Sequence, residues 1–98
     1  MVKLIISENK LWALGLKHLA EALVDNQTLS ELDISSNSVT ESADSYGDMS
    51  GVSALMANAI PTMGALTSLN LADNSLEAEG AKHVAEAIKA NVSALRFD

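Results

Sequence analysis

Cysteine is absent from the 98 residues, which excludes disulfides and thiolate-held metal and fits a reducing compartment. Aromatic side chains are scarce: one Trp, one Tyr and one Phe in a chain that is 48% hydrophobic. A core of this composition has to be aliphatic. No apolar run approaches the roughly 18 residues that a membrane-spanning helix needs. The opening "MVKLIISENK" lacks the apolar stretch and small-residue cleavage site of a secretory signal. Basic charge is also in short supply. Six Lys and Arg against thirteen Asp and Glu leave a formal charge of −7, which repels phosphate backbones and anionic bilayers. These shortages set the expectation of a cytoplasmic protein with no nucleic-acid or membrane partner, for which a basic protein surface is the better match. The length suits one domain with a modest core.

What the chain does contain is repetition. Residues 17–23 read "KHLAEAL" and residues 82–88 read "KHVAEAI". Set in register, 9–23 and 74–88 agree at nine of fifteen positions. A second pattern, L-x-x-L-x-L-x-x-N-x-L, lies around each asparagine. It runs through Met1, Leu4, Ile6, Asn9, Leu11; through Leu29, Leu32, Ile34, Asn37, Val39; and through Leu66, Leu69, Leu71, Asn74, Leu76. Val92, Leu95 and Phe97 begin a fourth copy. Apolar residues at alternate positions, as in "LSELDIS" and "LTSLNLA", make a short strand with one buried face. Leu16, Leu19, Ala20 and Leu23 fall at helical spacing and form a single apolar stripe, with Lys17 and Glu21 on the opposite side. Asn9, Asn37 and Asn74 end their strands, where an inward amide satisfies backbone groups of the neighbouring turn. Gly15 and Gly80 read as positions where a helix approaches its strand too closely for a Cβ.

These motifs resemble leucine-rich repeats, and the second half G-x-x-x-L-x-x-x-L (Gly15, Leu19, Leu23; Gly80, Val84, Ile88) resembles the ribonuclease-inhibitor-like subtype. The resemblance implies an α/β fold, a right-handed solenoid with parallel strands on the concave face and helices on the convex face. It also implies protein binding without catalysis, as in inhibitors, intracellular immune receptors and GTPase-activating proteins. The physics points the same way, because a strand–helix unit leaves its apolar face half covered and stacks on the next.

The repeats span about 1–28, 29–65, 66–91 and, in part, 92–98. Leu4 to Leu32 is 28 residues, Leu69 to Leu95 is 26, but Leu32 to Leu69 is 37. The surplus falls mainly in the polar, acidic stretch 40–51, an inserted loop after which a helix resumes near Gly51 and stops at Pro61 and Gly64.

Catalysis requires unlike groups converging within hydrogen-bond reach. His18 and His83 are the same repeat position written twice and read as helix surface, with no third ligand for a metal. "DSYGD" lacks the alternating oxygen ligands of a calcium loop. No arginine stands in the context of a catalytic finger. No cofactor and no enzyme activity are expected. Tyr46 and Met49 are candidate loop contacts, against the plainer reading of a solvated loop. Trp12, at the outer end of the first repeat, either shields core or mediates association.

The outward strand positions give the candidate protein-binding face: Glu8, Glu31, Asp33, Ser35, Asn70, Asp73 and Arg96, with a negative stripe through Glu8, Glu31, Asp33 and Asp73. A docking surface for a basic partner and a merely solvated sheet face stand side by side as readings. Neither end of the repeat pattern shows a polar cap, so the outer strands are expected to recruit other strands. That gives an expected homodimer or other homo-oligomer. The alternative function is a purely structural or self-assembling unit, a fragment or engineered building block, with no foreign ligand.

Overall fold

The structure, a computed structural model, describes residues 2–42, 47–89 and 96–97. Its described residues form a parallel sheet in the order β1 (Val2–Ile5), β2 (Leu29–Asp33), β3 (Ser68–Asn70) and β4 (Arg96–Phe97). Helix α1 (Trp12–Leu23) joins β1 to β2, and α3 (Glu77–Lys89) follows β3. Between β2 and β3 the chain makes a short α2 (Ser50–Ser53), a π-helix (Ala54–Ala59) and a 3-10 turn (Ile60–Thr62). α1 packs on α2 and the π-helix, and both of those pack on α3.

Register follows the leucines. Leu4 lies opposite Leu32, and Leu32 opposite Leu69. At the fourth strand the spacing expectation is corrected: Leu69 pairs with Phe97, not Leu95, and Ser68 with Arg96. A slip of two residues keeps the same residues on the same face, since side chains alternate with period two. Among these residues the distance from Leu69 to its partner is then 28 positions, as it is from Leu4 to Leu32.

The core is aliphatic. Leu16, Ala20 and Leu23 of α1, Leu32, Ile34 and Val39 of the second repeat, and Leu55, Met56 and Ile60 of its helix are buried together. The two glycines expected to admit a strand behave otherwise. A Cβ at Gly15 would meet Leu11 Cβ at 3.1 Å, and one at Gly80 would meet Leu76 Cβ at 2.6 Å. Their nearest neighbour is thus the leucine four residues earlier, not the strand. The position where two elements meet is Gly51, whose Cβ would lie 2.5 Å from the Ala13 carbonyl of α1.

Each of the first three strands is followed by a sharp turn. The residues on both sides of each repeated asparagine, Glu8 and Lys10, Ser36 and Ser38, Asp73 and Ser75, have φ between +51° and +60°. None is glycine, and each left-handed residue costs about 1–2 kcal/mol. The cost recurs at the same place in three repeats, so the surrounding bonds hold it there. No helix among the described residues is long and apolar enough to cross a membrane.

Candidate functional site

The sheet has one face covered by helices and one open. Leu4, Leu32 and Leu69 point to the core, and alternation puts Lys3, Glu31 and Ser68, then Ile5, Asp33 and Asn70, on the other side. These open-face residues line a shallow depression of about 180 Å³ together with Leu32. A small-molecule site commonly encloses about 300–1,000 Å³, so this hollow suits a protruding side chain better than a whole ligand.

Local chemistry fixes the face. Lys3 Nζ lies 3.1 Å from Glu31 Oε2, a pair formed because β1 and β2 register Lys3 opposite Glu31. Asp33 Oδ1 accepts from the Ser35 amide at 3.0 Å and the Ser35 hydroxyl at 2.7 Å. Its register partner Asn70 does the same one strand on, Oδ1 accepting from the Ala72 amide at 3.0 Å. Such two-residue-ahead bonds are the habit of Asp and Asn at turns. The first strand has Ile5 at this position, and Ile5 is 57% exposed.

The expected negative stripe is thereby interrupted. Glu31 faces a cation, Asp33 is tied to Ser35, and Glu8 and Asp73 remain exposed. The Lys3–Glu31 pair is the feature that residue-by-residue reading missed. Its signal was present in the spacing, since residues 28 apart share a rung. Arg96 is the register partner of Ser68. Tyr46 lies outside the described residues. Met49, read as a loop contact, is half-buried and packs on the core.

The 40–51 stretch is anchored at both ends. Thr40 is buried, and its hydroxyl donates to Ser75 O at 3.3 Å. The Asp48 amide donates to Thr40 O at 2.8 Å. Asp48 Oδ1 in turn accepts from the Ser50 amide at 2.9 Å. Ser50's amide and hydroxyl lower the Asp48 pKa below the usual carboxylate value, with a smaller contribution from Lys17.

The asparagines link the repeats. Asn37 Oδ1 accepts from the Asn9 amide at 2.8 Å and from the Leu11 amide at 3.4 Å. Its Nδ2 donates to Ile6 O, Ile34 O and Ser35 O, each at 3.0 Å. Asn74 repeats this one unit later, accepting from the Asn37 and Val39 amides and donating to Ile34 O, Leu71 O and Ala72 O. Asn37 and Asn74 are buried, and Asn9 is exposed. The Asn9 side chain, by contrast, donates from Nδ2 within its own turn, to Ile6 O and Ser7 O.

His18 is exposed on α1 and His83 half-buried on α3, with the second helical segment packed between those helices. Among the described residues no group of three or more His, Asp or Glu is placed to hold a metal ion.

A family model described as Leucine Rich repeat matches residues 25–42 and 66–85. No curated protein and no solved structure matches the chain.

Proposed function

We propose that this chain, which carries leucine-rich repeats, is a non-catalytic protein-interaction module that receives its partner on the open sheet face. Leucine-rich repeats generally serve as protein-binding modules and not as enzymes. The observation that carries the reading is the state of that face. Glu31, Asp33 and Asn70 are held by Lys3, Ser35 and Ala72, so little side-chain freedom is left to lose on binding. In this reading the sheet is the concave side of a right-handed solenoid, the helices form its convex side, and the helix-bearing second halves belong to the ribonuclease-inhibitor-like subtype. Glu8, Asp33 and Asp73, on a chain of net charge −7, favour a basic protein over nucleic acid or membrane. A cytoplasmic setting belongs to the same reading.

The test is a titration of purified components. Partners cross-linked to the chain are identified and purified, and their affinity is measured for the parent and for a Glu31→Lys, Asp33→Lys double variant. Both substitutions reverse charge on the open face, and neither residue is fully buried. Affinity should fall at least about tenfold and lose its salt dependence, with far-UV circular dichroism unchanged. Equal binding by parent and double variant would sink the proposal.

The reading of a structural, self-assembling unit concerns a different surface, where the exposed apolar side chains Val2, Trp12, Leu14 and Val24 all belong to the first repeat.

A further inference from the structure

Resting on the open sheet face as the docking surface, we infer that its hollow receives a single arginine side chain from a basic partner, the aliphatic stem lying on Ile5 and the guanidinium meeting the free oxygen of Asp33. The hollow spans two rungs of three strands. Lys3, Glu31 and Ser68 stand on one rung, and Ile5, Asp33 and Asn70 on the other. Its volume of about 180 Å³ suits one long side chain. On the second rung an apolar group and a carboxylate lie side by side, since Ile5 is 57% exposed and registers opposite Asp33. Ile5 points away from the helices, by the same alternation that turns Leu4 toward the core, so a strand beside β1 leaves it open. An exposed apolar surface next to a carboxylate matches a side chain that is aliphatic along its stem and cationic at its tip.

Asp33 carries a charge that its turn does not require. Its Oδ1 accepts from the Ser35 amide and hydroxyl. One repeat on, Asn70 makes the corresponding bond to the Ala72 amide with a neutral side chain. Asp33 Oδ2 accepts no hydrogen bond among the described residues. The other acidic group of the hollow, Glu31, is met through Oε2 by Lys3 at 3.1 Å. Lys3 and Glu31 cancel, so the hollow keeps one net negative charge and complements one cation. Arginine fits it better than lysine. The planar guanidinium forks across separate acceptors, and it is more weakly hydrated than an ammonium, which suits a half-buried hollow. A lysine is a point charge, and Lys3 already supplies one to Glu31.

The probes are blocked pentapeptides, acetyl-Gly-Gly-X-Gly-Gly-amide with arginine, lysine or citrulline at X, titrated into the isotope-labelled full chain and read by backbone amide chemical shifts. The arginine peptide should saturate shifts at Ile5, Asp33 and Asn70 with a millimolar Kd. The lysine peptide should bind at least about threefold more weakly, and the neutral citrulline peptide at least about tenfold more weakly. Asp33→Asn keeps the turn in the form that Asn70 already uses, and it should weaken the arginine peptide at least about tenfold. Ile5→Thr, at an exposed position, should weaken it about threefold. Glu21→Gln removes the same charge from the exposed side of α1 and should leave binding unchanged. Equal weakening by Asp33→Asn and Glu21→Gln would overturn the inference, leaving only the diffuse negative field of the chain, and so would shifts that never saturate. The titration needs no partner, so its failure strikes the arginine recess alone, while failure of the docking face reads only in the partner titration.

Discussion

The first and second repeats carry nearly the same apolar plan and fold it differently. In α1 the buried positions Leu16, Ala20 and Leu23 sit on a regular helix that ends at Leu23, and Val24 beyond it is exposed. In the second repeat Val52, Met56 and Ala59 stand 36 residues later, but the strand leucines Leu66 and Leu69 stand 37 after Leu29 and Leu32. One extra residue has to be absorbed between helix and strand. The π-helix absorbs it: the Ile60 amide donates to Leu55 O, five residues back. A wider turn lets consecutive residues share the inner face, so Ala59 and Ile60 are both buried where Leu23 is followed by exposed Val24. The comparison teaches that position in the stack, together with sequence pattern, decides how much a given leucine contributes.

The largest expected contrast tests that statement at one pair of positions. Leu55 is fully buried and its counterpart Leu19 only half-buried. Leu55→Ala should cost about 2–5 kcal/mol, through lost transfer energy and the cavity left behind. Leu19→Ala should cost about 1–2 kcal/mol, because water fills the space. Urea unfolding followed by circular dichroism reads both. Equal losses would mean that the first repeat is as well covered as the second, and the contrast between them would collapse.

A smaller contrast lies in the asparagines. Asn37→Ala removes the acceptor of two amides and the donor to three carbonyls. With an orphaned buried group costing about 1–3 kcal/mol, the loss should be about 2–3 kcal/mol. Asn9→Ala, removing an exposed side chain that donates within its own turn, should lose less than about 1 kcal/mol. A large loss at Asn9 would show that its own turn, and not the link to a neighbouring unit, dominates what these asparagines do.

Much of this arrangement is legible in the residues, for physical reasons that also mark where legibility stops. Leu4, Leu32 and Leu69, found by spacing alone, are rungs of one ladder. The fourth rung is not readable that way. Leu95 and Phe97 both satisfy an alternating pattern, and a slip of two residues preserves every inward position. The π-helix has no residue signature, and only the count between Ala59 and Leu66 betrays it. On the open face, the acidic residues are visible one by one, but the neutralising contact of Lys3 with Glu31 exists only once register is known. Most of the left-handed turn positions escape reading, because Glu8, Lys10 and the serines that adopt them are not residues that announce a positive φ; Asp73 alone among the six is of a type enriched there.

The smallest expected effect separates the two helix starts. The first amides of α1 are satisfied by the next repeat's backbone, Trp12 N–H donating to Asn37 O and Ala13 N–H to Glu41 O. The start of α2 instead uses a titratable side chain, Asp48, whose carboxylate accepts from Ser50. The Ser50 bonds lower the Asp48 pKa in the folded chain below its ordinary value of 3.8. The folded state therefore binds that proton less readily than the unfolded chain does. The resulting stabilisation is complete above pH 3.8 and is lost as pH falls through the lower folded value. Asp48 is one of thirteen acidic residues, so the measurement has to be a difference. Asp48→Asn keeps an oxygen acceptor for Ser50 but cannot titrate. Between pH 5 and pH 2.5 the parent should lose slightly more unfolding free energy than Asp48→Asn, by urea titration at each pH. Parallel pH profiles would place the second helix's start under backbone control like the first, and this distinction between the two repeats would go.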